Sequence, residues 1–192
     1  QSVDSVRAAR QDVDAVVWPE SMFSADLPLL LESEQPRVPE GAFSTPAEFR
    51  AWVAAQKETF LDRARYVQAA IAAVNHDGSS PHLVAGSGVV DYRDVPNIYS
   101  GVVSVRPDGS LEDWYGKTHL VMFGEYVPFA KFIPRIRRIL PNAIGISVGA
   151  GPKRFMIDET GVSPNICIET AVERVPINQL AELKGKKQMP DV

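Results

Sequence analysis

The chain has 192 residues, a length typical of one domain or part of one. Hydrophobic residues make up 45% and charged residues 23% of the chain, which excludes intrinsic disorder, collagen-like repeats and a coiled coil. The formal net charge of −4 argues against nucleic acid as a partner, because nucleic-acid binders normally carry a basic excess. One cysteine excludes an internal disulfide, and no metal-ligand spacing is present, so we expect neither metal nor cofactor.

The N-terminal part contains one clear strand signal. Residues 2–11 have helical spacing, and Ala15–Trp18 is a short apolar run that predicts a buried strand ended by Pro19. Residues 24–44 are rich in Pro, Ser and Glu and predict a surface loop. No run approaches 18 apolar residues, no signal peptide is visible, and both ends of the sequence resemble the interior of a larger domain.

A long helix and several strands are predicted next. Thr45, Pro46 and Glu48 match the N-cap, N1 and N3 positions of a helix start, and an apolar stripe continues to His76, with a break expected near Lys57. The segment 107–110, Pro-Asp-Gly-Ser, predicts a hairpin turn, and strands alternating with helices predict an α/β layered sheet. The other predicted strands are 83–90, 98–105, 111–115, 155–157 and 164–168, and the last predicted helix is 176–185.

Three side chains are candidates for catalysis. Cys167 lies near a predicted strand end, although a lone cysteine is more often a small buried apolar residue than a nucleophile. Glu20 follows the first strand, at the edge where α/β sheets bind ligands; it is either a base for a thiol proton or a surface glutamate. Lys117 has aromatic and apolar neighbours, and it either reaches solvent or stabilises a developing oxyanion.

Together these segments resemble the nitrilase, or carbon–nitrogen hydrolase, superfamily. Trp-Pro-Glu at 18–20, Tyr-x-Lys-x-His-Leu at 115–120 and Ile-Cys-x-Glu at 166–169 are similar to its three signature segments, in its order. Phe-Gly-Glu-Tyr-Val-Pro at 123–128 is similar to the apolipoprotein N-acyltransferase family in particular. The resemblance implies a nitrilase-like α-β-β-α sandwich. Residues 1–192 would then be a partial catalytic domain that lacks the first strand, the C-terminal strand–helix units and the membrane portion.

The resemblance also implies roles for individual residues. Glu20 would be the general base, Lys117 the partner of the oxyanion and Cys167 the nucleophile. Glu125 and Glu169 match two further glutamates of the family. Two positions depart from the family pattern, namely Met122, where Pro is usual, and Ile168, where Tyr is usual, although the backbone N–H of Ile168 could still serve the oxyanion.

A basic arm, defined as Ala130–Leu140, alternates basic and apolar residues without an acidic one. One interpretation is a short amphipathic surface segment. The other is a lipid-facing arm whose apolar side enters the acyl region of a bilayer while Arg135, Arg137 and Arg138 bind lipid phosphates.

The resemblance implies an enzyme that moves an acyl chain from a phospholipid to the N-terminal α-amine of diacylglyceryl-cysteine apolipoproteins, through a cysteine thioester. Its expected partners are the phospholipid, the apolipoprotein and the membrane, and its expected location is the periplasmic face of the bacterial inner membrane. Two alternatives remain open at this point. One is a soluble nitrilase-type amidase that uses the same three residues with water as acceptor, and the other is a degenerate member acting as a scaffold.

Overall fold

A computed structural model describes residues 13–20, 23, 27–33, 38–39, 41–75, 78–93, 96–122, 125 and 145–192. The predicted helix at 2–11 and the basic arm lie outside the described residues. Within the described ranges, no helix is long and apolar enough to cross a membrane.

The described residues form a five-stranded mixed sheet. β3 (His82–Asp91) pairs antiparallel with β4 (Asn97–Val105), which pairs antiparallel with β5 (Leu111–Gly116). β1 (Ala15–Trp18) and β2 (Leu29–Leu31) both run parallel to β3 and pair with different stretches of it. The order β1-β3-β4-β5 therefore brings the end of β1 close to the middle of β3.

The long helix α1 (Pro46–Ala72) covers one face of this sheet. Because successive side chains of a strand point to opposite faces, each strand contributes to two apolar clusters. On the α1 face, the helix residues Phe60, Ala64 and Ile71 pack with Val16, Leu83, Ala85, Val89, Val103 and Val105. On the other face, Val84, Val102 and Tyr115 pack with Phe155, Ile157 and Ile166.

The predicted start of α1 is confirmed, whereas its predicted break is wrong. Thr45 caps the helix, since its Oγ1 accepts a hydrogen bond from the Glu48 N–H at 3.1 Å. The helix continues through Lys57 because buried residues on both sides of that position, such as Val53 and Phe60, keep the same face against the sheet. Packing along one stripe therefore outweighs the local polar sequence.

The C-terminal part adds a small hairpin and two helices. β6 (Phe155–Ile157) and β7 (Thr160–Val162) form a two-stranded antiparallel sheet, and α2 (Ile168–Ala171) and α3 (Arg174–Gly185) follow. The predicted strand at 164–168 is wrong, because the chain turns at Cys167 and enters α2 at Ile168.

Other sequence predictions hold in part. The hairpin turn at 107–110 is confirmed by the hydrogen bond from Arg106 N to Ser110 O at 2.9 Å and by the positive φ of 79° at Gly109. The segment predicted as a loop at 24–44 contains the three-residue strand β2. β1 is buried on one face only, since Val17 is 69% exposed. Helix α1, the five-stranded sheet and the β6–β7 hairpin form successive layers, so the predicted α/β class is confirmed.

Candidate active site

Glu20 is placed by the end of β1 and by a glycine in β3. A Cβ atom on Gly86 would lie 2.5 Å from the Cα atom of Glu20 and would also overlap the carbonyl oxygen of Pro19, so this close approach requires glycine. The side chain of Glu20 is 31% exposed. Its Oε1 atom accepts hydrogen bonds from Ser100 Oγ at 2.8 Å and from Lys117 Nζ at 3.4 Å.

Lys117 follows β5 and is 1% exposed. Its Nζ donates to Glu125 Oε1 at 2.6 Å as well as to Glu20 Oε1. Burial by itself would lower the pKa of Lys117, but the hydrogen bond to Glu125 and the negative charges of Glu20 and Glu125 raise the pKa above its ordinary value. Lys117 is therefore a cation at neutral pH, which suits a group that stabilises negative charge rather than one that accepts a proton.

Glu125 connects Lys117 to the neighbouring backbone. Its Oε2 accepts from the N–H of Val121 at 2.8 Å, and its carbonyl oxygen accepts from the N–H of Ile146 at 2.8 Å. The carboxylate is 14% exposed. Because backbone donors hold both ends of this residue, Glu125 is a fixed anion that keeps the Lys117 ammonium in place.

Cys167 is exposed and lies in a sharp turn before α2 rather than at a strand end. Its φ is 50° and its ψ is −114°, values that are uncommon for a residue other than glycine. Strained backbone of this kind costs about 1–3 kcal/mol and persists where the surrounding structure holds it. Ser-Pro-Asn at 163–165 favours a turn, but this local sequence does not indicate the strained conformation at Cys167.

Glu169 holds the turn of Cys167 against the loop that follows Lys117. The Glu169 side chain is fully buried. Its Oε1 accepts from the Thr118 N–H and Oγ1 at 2.7 Å and from the His119 N–H at 3.0 Å, while its Oε2 accepts from the Ile166 N–H at 2.8 Å. The Ile166 N–H is therefore satisfied by this carboxylate and not by a neighbouring strand, which explains why the predicted strand does not form.

A second group of polar side chains supports Glu169. Tyr115 OH donates to Glu169 Oε1 at 2.8 Å, and Gln179 of α3 donates to Tyr115 OH at 2.9 Å and to Thr118 Oγ1 at 3.0 Å. Burial, with the nearby Glu169 charge, raises the pKa of Tyr115, so this hydroxyl stays a donor. The network joins β5, α2 and α3.

A cavity of about 500 Å³ lies between Glu20 and Cys167. Its wall is largely apolar and is formed by the sheet face opposite α1 and by the β6–β7 hairpin. Its lining includes Val17, Val84, Val102, Ile157, Val162 and Ile166. Among the described residues, no three His, Cys, Asp or Glu side chains are grouped so that they could hold a metal ion.

The structure thus brings Glu20, Lys117, Glu125, Glu169 and Cys167 to one region, and Ile168 follows Cys167 as the first residue of α2. Arg135, Arg137 and Arg138 lie outside the described residues.

Sequence reasoning missed three contributors to this region: Gly86, Ser100 and Gln179. A glycine inside a strand is a general sign that another backbone passes close by, so Gly86 carried a signal, whereas only their contacts distinguish Ser100 and Gln179.

One curated protein is similar over almost the whole chain. An apolipoprotein N-acyltransferase from Rhodopirellula baltica is 39% identical over 200 residues, and the match covers 99% of this chain and 35% of that protein. The chain therefore spans about a third of the length of this relative. No family model matches the chain.

Two solved structures are similar to this chain in fold. A glutamine-dependent NAD+ synthetase from Acinetobacter baumannii matches with a TM-score of 0.50 and 16% identity, over 95% of this chain and 26% of that chain. An amidase from Nesterenkonia sp. matches with a TM-score of 0.49 and 16% identity, over 94% and 52%. These likenesses concern the fold alone. The sequence match confirms the resemblance that the motifs predict: the chain is similar to about a third of an apolipoprotein N-acyltransferase.

Proposed function

We propose that this chain is the catalytic part of an enzyme that transfers an acyl chain from a phospholipid to the N-terminal α-amine of a diacylglyceryl-cysteine apolipoprotein. The observation that carries the proposal is that a carboxylate, Glu20, and an exposed thiol, Cys167, line one apolar cavity, while the buried cation Lys117 contacts that carboxylate. The 39% identity to an apolipoprotein N-acyltransferase supports the choice of substrates. Because the chain spans about a third of that relative, we expect residues 1–192 to be part of the catalytic domain.

In the first half of the reaction, Cys167 Sγ attacks the ester carbonyl of the phospholipid while Glu20 takes the thiol proton. The ammonium of Lys117 stabilises the tetrahedral oxyanion, with the backbone N–H of Ile168 as a second donor. The C–O bond of the ester then breaks. The lysophospholipid leaves with the proton from Glu20, and the acyl chain stays on Cys167 as a thioester.

In the second half, the free α-amine of the apolipoprotein attacks the thioester. Glu20 takes a proton from the amine, the C–S bond breaks and the thiol is restored. The product is an amide, and each half uses the same base, so ping-pong kinetics are expected.

The supporting glutamates have different roles in this scheme. Glu125 keeps Lys117 charged and in place through the 2.6 Å contact. Glu169 holds the backbone before Cys167 to the loop after Lys117 and thereby sets the distance between nucleophile and cation. Neither glutamate needs to exchange a proton during turnover.

The proposed partners are the phospholipid donor, the apolipoprotein acceptor and the membrane that contains both. The proposed location is the periplasmic face of the bacterial inner membrane. The apolar wall of the cavity beside Cys167 is compatible with an acyl substrate. The basic arm would add attraction to anionic headgroups.

The test is the acyl-enzyme itself. After incubation with phospholipid, intact-mass measurement should detect one acyl group on the wild type, and hydroxylamine should remove it. Cys167 is the one cysteine among residues 1–192, so within this part of the protein a thioester can form nowhere else. Cys167→Ser should lose turnover almost completely, because a serine hydroxyl is far less ionised than a thiol near neutral pH.

Two results would contradict the proposal. An active wild type without an adduct would exclude covalent catalysis. Release of ammonia from simple amides, without acylation by phospholipid, would favour the amidase alternative with water as acceptor.

A further inference from the structure

We propose that Ser100 is a positioning residue for Glu20: its hydroxyl holds Oε1 of the carboxylate so that Oε2 remains to accept the thiol proton. This inference rests on the role of Glu20 as base in the proposed function. It adds a residue of β4 that belongs to none of the three signature segments.

Ser100 of β4 contacts both Glu20 and Lys117. Ser100 Oγ donates to Glu20 Oε1 at 2.8 Å, and Ser100 O accepts from the N–H of Lys117 at 2.9 Å. Val102, two residues further on the same face of β4, lines the cavity with Cys167. Ser100 therefore contacts the base through its side chain and fixes the lysine backbone through its carbonyl.

A glutamate carboxylate needs a short hydrogen bond to hold its orientation. The last torsion of a glutamate side chain is broad, so the plane of its two oxygens rotates easily unless a short hydrogen bond holds it. Lys117 Nζ contacts the same Oε1 at 3.4 Å, a longer contact than the 2.8 Å bond from Ser100. The serine hydroxyl is thus the tighter restraint on the carboxylate of Glu20.

The two donors also leave the second oxygen available. Ser100 and Lys117 both point at Oε1, and no residue that the structure describes donates to Oε2. Cys167 lines the same cavity as Glu20, so Oε2 is the oxygen left for the thiol. A hydrogen bond to a carboxylate also favours its charged form, which is the form that accepts a proton.

The experiment follows the alkylation of Cys167 by iodoacetamide as a function of pH in the full chain. Because Cys167 is the only cysteine, the total rate reports this thiol alone. Ser100→Ala removes a hydrogen-bond donor that favours the charged form of the Glu20 carboxylate. This variant should therefore move the acidic limb of the profile to higher pH and slow alkylation on that limb about tenfold. Ser100→Thr keeps the hydroxyl and should restore the wild-type profile.

A matched control lies on the same strand. Ser104 Oγ donates to Glu112 Oε2 at 2.8 Å, so Ser104→Ala removes a hydroxyl–carboxylate bond of the same length away from the cavity. It should leave the position of the acidic limb unchanged. Thermal unfolding midpoints of all variants show whether the fold is kept; if Ser100→Ala unfolds, Ser100→Val, which has the shape of threonine without the hydroxyl and suits a strand, replaces it.

The double variant decides whether Ser100 acts through Glu20. In a Glu20→Gln background, Ser100→Ala should cause no further shift of the profile, because the charged acceptor is already gone. An unshifted profile in Ser100→Ala, or an equal shift in the Glu20→Gln background, would overturn the inference. Failure of phospholipid to acylate Cys167 would contradict the proposed function instead, since alkylation involves no lipid.

Discussion

At the scale of single residues, the charge of Lys117 depends on two carboxylates. Burial would lower the pKa of Lys117, but the hydrogen bond to Glu125 and the charges of Glu20 and Glu125 raise this pKa above its ordinary value. The interactions of the Lys117 ammonium with Glu20 and Glu125 are therefore fully present at neutral pH. They are lost only as the pH rises through the raised pKa of Lys117. We expect the Lys117-dependent step to show no loss between about pH 7 and 9.

Substitution of Lys117 tests the proposed role of this residue in stabilising the oxyanion. Lys117→Met keeps much of the apolar stem and removes the ammonium, which should slow acylation of Cys167 about 100- to 1000-fold. Lys117→Arg should fail as well, because the planar guanidinium is larger and is no compact point charge. Single-turnover acylation rates measure the effect, and near-normal turnover in a folded Lys117 variant would refute the role.

Glu169 has a buried carboxylate, and both of its oxygens accept hydrogen bonds from the groups around them. Its two oxygens receive N–H and O–H groups from Thr118, His119, Tyr115 and Ile166. An amide in the same place would offer one oxygen and an NH₂ group, so at least one N–H would face another donor. The site therefore distinguishes a carboxylate from its neutral isostere.

Glu169→Gln should accordingly destabilise the fold by about 1–3 kcal/mol, the usual range for a buried polar group left without a partner. Thermal or urea unfolding measures this loss. The control is Glu182→Gln, because Glu182 is half exposed in its pair with Lys186 and should change stability by no more than about 0.5 kcal/mol. Equal stability of the two variants would mean that the Glu169 network contributes little.

At the scale of secondary-structure elements, the parallel pairing of β1 with β3 carries Glu20 into the site. Trp18 pairs with Ala85, so the backbone of Pro19 and Glu20 passes directly over Gly86. The position of Glu20, the proposed base, is therefore determined by two strands that lie far apart in sequence.

Gly86→Ala should impair catalysis because the new Cβ would overlap the backbone of Pro19 and Glu20, which cannot move aside like a flexible side chain. A displacement of Glu20 by about 1 Å is expected to slow acylation about 100-fold. Gly88→Ala, two residues further on the same strand, is the matched control, since its Cβ would meet only Pro28 Cβ at 3.5 Å. Similar acylation rates for the two variants would contradict this account of Gly86.

At the scale of the whole molecule, lipid binding by the basic arm would distinguish the proposed membrane enzyme from the alternative of a soluble amidase. Arg135, Arg137 and Arg138 lie in the part of the chain that the structure does not describe, so the prediction rests on sequence. Each basic residue near an anionic surface contributes about 1 kcal/mol, so changing the three arginines to Gln should weaken vesicle binding by roughly 3 kcal/mol. Co-sedimentation with anionic vesicles measures the loss.

The salt dependence and an activity measurement complete this experiment. Binding of the parent protein should fall as salt rises, because salt screens the attraction. Activity on a water-soluble short-chain ester should survive in the triple variant, since the three arginines are distant in sequence from Glu20, Lys117 and Cys167. Equally weak vesicle binding by parent and variant at low salt would favour a solvated surface segment.

The sequence by itself determined the features that depend on near neighbours. Thr45 and Glu48 predicted the start of α1, and the turn at 107–110 predicted the hairpin, because capping and turn formation involve contacts only three or four residues apart. The motifs also singled out Glu20, Lys117 and Cys167, whose grouping in one region the structure then described.

Only the tertiary structure decided the rest of the site. The turn at Cys167 replaces a predicted strand because the Ile166 N–H is taken by Glu169, and Glu169 is in turn fixed by Thr118, 51 positions away in sequence. Ser100 contacts Glu20 across 80 positions, and Gly86 is needed only because β1 packs against it. Such contacts form when strands assemble, so no local pattern near Ser100 could have predicted its partner, and a glycine inside a strand at Gly86 indicates close backbone approach without saying which segment approaches.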